Sequence, residues 1–131
     1  MKKIITFMAS AILTAACASS NGALLDNQSF TITELNGTEL VSITEEPASI
    51  SFSEGRCNAY VGGNRITATY KEGKDGEISL EYGASTKMMV PEECREDEFI
   101  AAFNSVASFK LDGNTVVFFD KDGVELFRAS K

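Results

Sequence analysis

Short runs of alternating apolar and polar residues, each ended by a turn-forming pair, recur along most of this chain. The pairs are Asn36-Gly37, Glu54-Gly55, Gly62-Gly63, Asp112-Gly113 and Asp122-Gly123. Such residues accept positive φ at little cost and reverse an extended backbone. Between them Phe30 and Ile32, Ile50 and Phe52, and Ile78, Leu80 and Tyr82 fall two apart, which places each set on one face of a strand. Strands are expected over 29–35, 48–53, 56–61, 65–70, 77–82, 107–111, 115–119 and 124–128, with a weaker extended stretch in 38–44. One segment departs from this rhythm. After Pro91, the acidic residues Glu92, Glu93, Glu96, Asp97 and Glu98 suit a helix N-terminus. Phe99, Ala102, Phe103 and Val106 then follow at helical spacing, which predicts a helix over 92–105. The expected fold is mainly β: an antiparallel, β-barrel-like closed sheet of about eight strands with one α-helix late in the chain. Closure would remove the exposed edges that many short strands otherwise leave.

The first residues are not part of that fold. Lys2-Lys3 precede Ile4–Ala16, an apolar run of 13 residues broken only by Thr6, Ser10 and Thr14. This is the pattern of a secretory signal peptide, too short for a membrane span. Leu13-Thr14-Ala15-Ala16-Cys17 resembles a bacterial lipobox, in which the cysteine takes a diacylglycerol and becomes the mature N-terminus. The alternative is ordinary cleavage near Ala16. The expected organisation is a signal peptide over 1–16, a lipidated Cys17 with a flexible tether to residue 28, and one domain over 29–131. Without residues 1–16 the chain keeps ten basic against 19 acidic residues, a net charge of −9. That balance argues against nucleic acid and against electrostatic docking on anionic headgroups. Triacylation anchors without a basic patch. No acidic residue follows Cys17 until Asp26, so the expected location is the bacterial envelope at the outer membrane.

Cys57 and Cys94 remain as an even pair in an oxidising compartment, which favours a disulfide over two free buried thiols. The bridge would join residues 37 apart, a closure worth about 3–4 kcal/mol. They lack the Cys-x-x-Cys spacing of a redox motif. The chain contains no histidine. Ser-His-Asp and Cys-His catalysis are therefore excluded, and two separated cysteines fall short of a zinc site. The acidic run after Pro91 reads as a solvated helix start rather than a calcium site. Asp120-x-Asp122-Gly123 reads as a β-turn, since the remaining ligands of a calcium loop are missing. No catalytic, cofactor or metal residue is expected.

Several pieces, in order, resemble the META domain, the HslJ-like heat-shock protein family. They are Leu35-Asn36-Gly37, Pro47 with Ile50-x-Phe52, Cys57-Asn58-x-Tyr60-x-Gly62, Thr86-Lys87-Met88-Met89 with a following cysteine, Glu98-Phe99-x-x-x-Phe103, and Asp112-Gly113-Asn114 through Leu126. The chain departs from the family pattern in having Arg56 where Gly is common, no Trp near the first strand, and Cys94 five residues beyond Met89. The resemblance implies a barrel-like β domain with a helix across it and an envelope location, often as a lipoprotein. It also implies loose links to heat shock, antibiotic tolerance and virulence without an agreed activity. Asn58 is expected to satisfy backbone groups in a tight bend, Gly62 and Gly63 to supply positive φ, Thr86 to bond to backbone at a strand end, and Met88 or Met89 to fill core gaps. The functional expectation is a non-enzymatic envelope lipoprotein that binds a partner protein or supports the envelope under stress. The alternative is a lipid or small-ligand carrier using the barrel interior.

Overall fold

The computed structural model describes residues 24–86 and 89–131. Its strands are β1 (Gln28–Leu35), β2 (Thr38–Glu39), β3 (Ser49–Ser53), β4 (Arg56–Tyr60), β5 (Arg65–Glu72), β6 (Ile78–Ser85), β7 (Ser108–Asp112), β8 (Thr115–Phe119) and β9 (Glu125–Ser130). All pair antiparallel in one sheet of order β6-β5-β4-β3-β1-β9-β8-β7, with the short β2 added to β1. The mainly-β reading with a single late helix therefore holds. Closure does not. The sheet curls into a half-barrel, and its edge strands β6 and β7 meet only at one corner, through the Glu77–Ser108 bridge and the Ile78 N–H on the Ala107 carbonyl. Beyond that corner the helix, not a strand ladder, covers the core.

Turn chemistry sets the hairpins. Asn36 and Gly37, with φ of 52° and 81°, both sit in the left-handed region that an Asn-Gly hairpin requires. Glu54 and Gly55 repeat the geometry. Inward residues then follow the pleat: Phe30 and Ile32, Ile50 and Phe52, Cys57 and Ala59, Ile66 and Ala68, Val116 and Phe118 are all buried.

The helix α1 (Glu96–Phe103) is shorter than expected. Glu92–Cys94 form a separate 3-10 turn, and Arg95 breaks the run with φ of 58°. The helix buries Phe99, Ala102 and Phe103, with Phe99 against Phe127 of β9. An aromatic chain joins sheet to helix: Tyr70 meets Phe52 edge-on at 5.0 Å, Phe52 faces Phe118 at 6.1 Å, Phe118 stacks on Phe127 at 4.6 Å, and Phe127 meets Phe99 at 5.0 Å. Rings at these distances add to their burial energy, and they fill the interior.

Residues 24–28, within the stretch expected as a tether, pack on the domain. Leu25 is fully buried. Its N–H and that of Leu24 reach the Glu72 carboxylate at 2.8 and 3.1 Å. Asn27 N–H bonds the Phe52 carbonyl at 2.8 Å. Cys17 and the expected signal peptide lie outside the described residues.

Candidate functional site

The stretches 56–63 and 86–94 do converge, but through Asn64 and Glu96 rather than through their cysteines. Gly62 adopts φ of 115°, and a Cβ there would press on Ile43 at 3.3 Å. Gly63 has ordinary φ and is required for another reason: a Cβ would run into Val90 and lie 2.6 Å from Glu96 Oε1. This bend delivers Asn64, which is buried, to Glu96, also buried. Glu96 Oε1 accepts the Asn64 backbone N–H at 2.6 Å, and Oε2 accepts its Nδ2 at 2.8 Å. Asn64 Oδ1 accepts the Thr86 hydroxyl at 3.0 Å, while Thr86 Oγ1 accepts the Arg65 N–H at 2.9 Å. A carboxylate at the first turn of a helix is further favoured by the helix dipole. The result is a polar clasp tying the β4–β5 bend, the end of β6 and the start of α1.

Neighbouring loops fasten to the same end. Arg65 forks onto Glu46 with two bonds of 2.6 Å and lies 4.5 Å over the Tyr60 ring. Thr44 meets the Tyr60 hydroxyl at 3.1 Å. Arg95 reaches the Leu35 and Glu39 carbonyls and pairs with Glu98, which Asn36 also donates to. Those bonds, from Arg95 first and Asn36 second, hold the Glu98 carboxyl down to about 2. Apolar side chains face water on loops at this end: Val41 is 66% exposed, Ile43 43% and Met89 fully.

The disulfide expectation is corrected. Cys57 and Cys94 are both buried free thiols. Cys57 lies in the barrel wall opposite Phe52 and Ala68. The Cβ of Cys94 packs 3.5 Å from a Cβ built on Gly62, five residues along the chain from Cys57. At about 3.3 Å per extended residue that separation is on the order of 15 Å, beyond the ~7 Å a bridge allows. Burial pushes the Cys57 thiol up to about 12 and raises that of Cys94. Such thiols are unreactive.

Other expected residues fall elsewhere. Asn58 is exposed in mid-strand, paired with Ser51 and Thr67, and serves no bend. Met89 fills no core gap, since it is wholly exposed. Met88 lies outside the described residues. Asp120 Oδ1 caps its own turn, accepting the Asp122 and Val124 N–H groups at 2.8 and 2.9 Å. Asn64 and Glu96, the two residues that make the clasp, were not singled out by sequence. A signal was present for one of them: Glu96 shares the helical spacing of Phe99 and Phe103, so an acid sits on the apolar stripe.

Clefts lie outside the packed interior. One of about 490 Å³ is open to solvent beside the β6–β7 corner, lined by Lys71, Glu72, Glu77, Ile78, Leu80 and Val106 among others.

The META domain family model matches residues 23–131. No curated protein matches the chain. Among solved structures the chain is similar to a DUF4847 family protein from Bacteroides vulgatus, at 14% identity and a TM-score of 0.60, covering 82% of this chain and 94% of that one. A protein from Burkholderia xenovorans, solved by NMR, is 18% identical with a TM-score of 0.61 over 92% of this chain and 93% of its own. These likenesses extend the fold and carry no activity with them.

Proposed function

The chain belongs to the META domain family, and on that premise we propose that it is a lipid-anchored protein of the bacterial envelope that acts by binding a partner protein at the clasp end. One observation carries the binding part: Val41, Ile43 and Met89 expose apolar side chains at the end of the sheet where the Asn64–Glu96–Thr86 clasp and the Arg65 and Arg95 pairs gather. Exposed apolar groups rimmed by polar ones are a common mark of an interaction surface. Lys2-Lys3, the apolar run Ile4–Ala16 and Cys17 support the anchor. The lack of acidic residues directly after Cys17 supports the outer membrane.

A catalytic reading has no such support, because the chain has no histidine and no described cleft gathers an activated nucleophile. Nor does the carrier reading, since phenylalanine rings occupy the interior that a ligand would need.

The anchor is tested by mass and fractionation. Wild type should carry the added acyl mass and pellet with membranes, and Cys17→Ala should lose both. A Cys17→Ala protein that stays membrane-bound with unchanged mass overturns the anchor. Binding is tested by placing a photoreactive amino acid at surface positions in intact cells, where adducts with protein are expected.

A further inference from the structure

We infer that the clasp end is turned away from the anchoring membrane and docks a protein segment in which lysine or arginine side chains surround an apolar residue. This deepens the binding reading above and rests on it. The two ends of β5 fix the polarity. Arg65 begins the strand at the clasp, and Glu72 ends it under the N-terminal dock, where it holds the Leu24 and Leu25 N–H groups. Eight strand residues at about 3.3 Å each set the two ends roughly 23 Å apart. Leu25 is buried and Asp26 Oδ1 accepts the Glu54 N–H at 2.8 Å, so the chain is secured at the Glu72 end. Only residues 18–23 separate that dock from Cys17. However arranged, they reach at most about 25 Å. An anchored domain therefore presents its Glu72 end to the bilayer, and to bring the clasp end down the tether would have to stretch fully along the domain's side.

Charge identifies the occupant. The three arginines toward the clasp end are all engaged, Arg65 by Glu46, Arg95 by Glu98 and Arg128 by Glu125. Glu45, Glu92 and Glu93 are exposed there, and none has an ion-pair partner among the described residues. Val41 and Ile43 precede Glu45 by four and two residues, and Met89 precedes Glu92 and Glu93 by three and four. Along the chain acidic residues outnumber Lys87, the one basic residue in 39–46 and 86–94, and give these apolar groups an acidic rim. Anionic headgroups are repelled by such a rim, whereas a basic protein segment is complementary to it.

The experiment uses the full-length chain in intact cells, with a photoreactive amino acid at Val41, at Met89, or at exposed Ser79 on the β5–β6 hairpin. Protein adducts are expected from positions 41 and 89. Combined Glu45→Lys, Glu92→Lys and Glu93→Lys should lower their yield at least tenfold. The charge-matched set Glu54→Lys, Glu81→Lys and Asp112→Lys should leave it within twofold. With the probe at position 41, Met89→Ser alone should lower the yield about fivefold, and its wholly exposed side chain leaves folding unaffected. Equal losses from the two charge sets would mean bulk attraction and overturn the proposal. Phospholipid adducts from 41 or 89 would also overturn it, because the clasp end would then lie on the membrane. Adducts from 79 but not from 41 or 89 would sink this proposal and leave partner binding standing. No adduct at any position would sink both.

Discussion

Two carboxylates near opposite ends of β5 hold backbone N–H groups, and their surroundings differ. Glu96 is buried and bonds both the backbone and the side-chain amide of Asn64. Glu72 is half-buried and takes the Leu24 and Leu25 N–H groups where water can replace it. The bonds are alike in length. What separates the two is what happens when the acceptor is removed. A buried donor left unsatisfied bears its full desolvation cost, while an accessible one turns to solvent. The clasp is therefore a structural requirement, whereas the Glu72 bonds only add to the burial of Leu25 and the Asp26 and Asn27 bonds that secure the N-terminal dock.

The largest expected effect is at the clasp. Glu96→Ala should lower unfolding stability by about 3 kcal/mol, because it removes the charged acceptor of two bonds from a buried asparagine. Glu96→Gln, which keeps one acceptor, should cost roughly half that. A denaturation midpoint for the Ala variant matching wild type would show that the clasp holds nothing. Next comes Gly63→Ala, expected to cost about 1–3 kcal/mol because the new methyl displaces Val90 or the Glu96 carboxylate. Its readout is the same midpoint with an unchanged slope.

At the other end, Glu72→Ala should cost about 1 kcal/mol or less. Its main signature should be faster amide exchange at Leu24 and Leu25, with the amides of β4 unaffected. If Glu72→Ala proves as damaging as Glu96→Ala, exposure is not what distinguishes the two sites.

The smallest effect is acid sensitivity at Glu98. Its folded carboxyl titrates near 2, below its ordinary 4.5, so the ionised form is the one that folding favours. Its contribution is full above about pH 4.5 and is lost as pH falls through 2. Glu98 is largely solvent-exposed, so screening keeps the loss under about 1 kcal/mol. Urea midpoints between pH 6 and 2 should fall less steeply in Arg95→Ala than in wild type. The cysteines divide along the same line. Protein unfolded without reductant should yield two free thiols from Cys57 and Cys94, and Glu96→Ala should expose Cys94 to alkylation before Cys57. Recovery of an intramolecular disulfide would contradict the separation of the two sulfurs.

Much of this molecule was legible in period-two alternation and turn pairs. Ile50 and Phe52 point inward and Asn36-Gly37 turns left-handed because local sterics alone require it. The same alternation places Asn58 outward once Cys57 and Ala59 point in, so its expected role in a bend conflicted with its own strand. The helix began late because Arg95 takes a left-handed conformation that helix propensity does not foresee. The cysteine pairing failed because an even count and an oxidising compartment say nothing about distance.

By itself the sequence determined the class of fold, the position of its strands and turns and the absence of histidine chemistry. These depend on residues near one another in the chain. Only the tertiary structure decided that the stretches 56–63 and 86–94 meet through Asn64 and Glu96, that Cys57 and Cys94 stay apart, and that the sheet remains open between β6 and β7. Each depends on where distant segments come to lie, on whether a carboxylate finds its donors before water does, and on whether Gly63 leaves room for the approach.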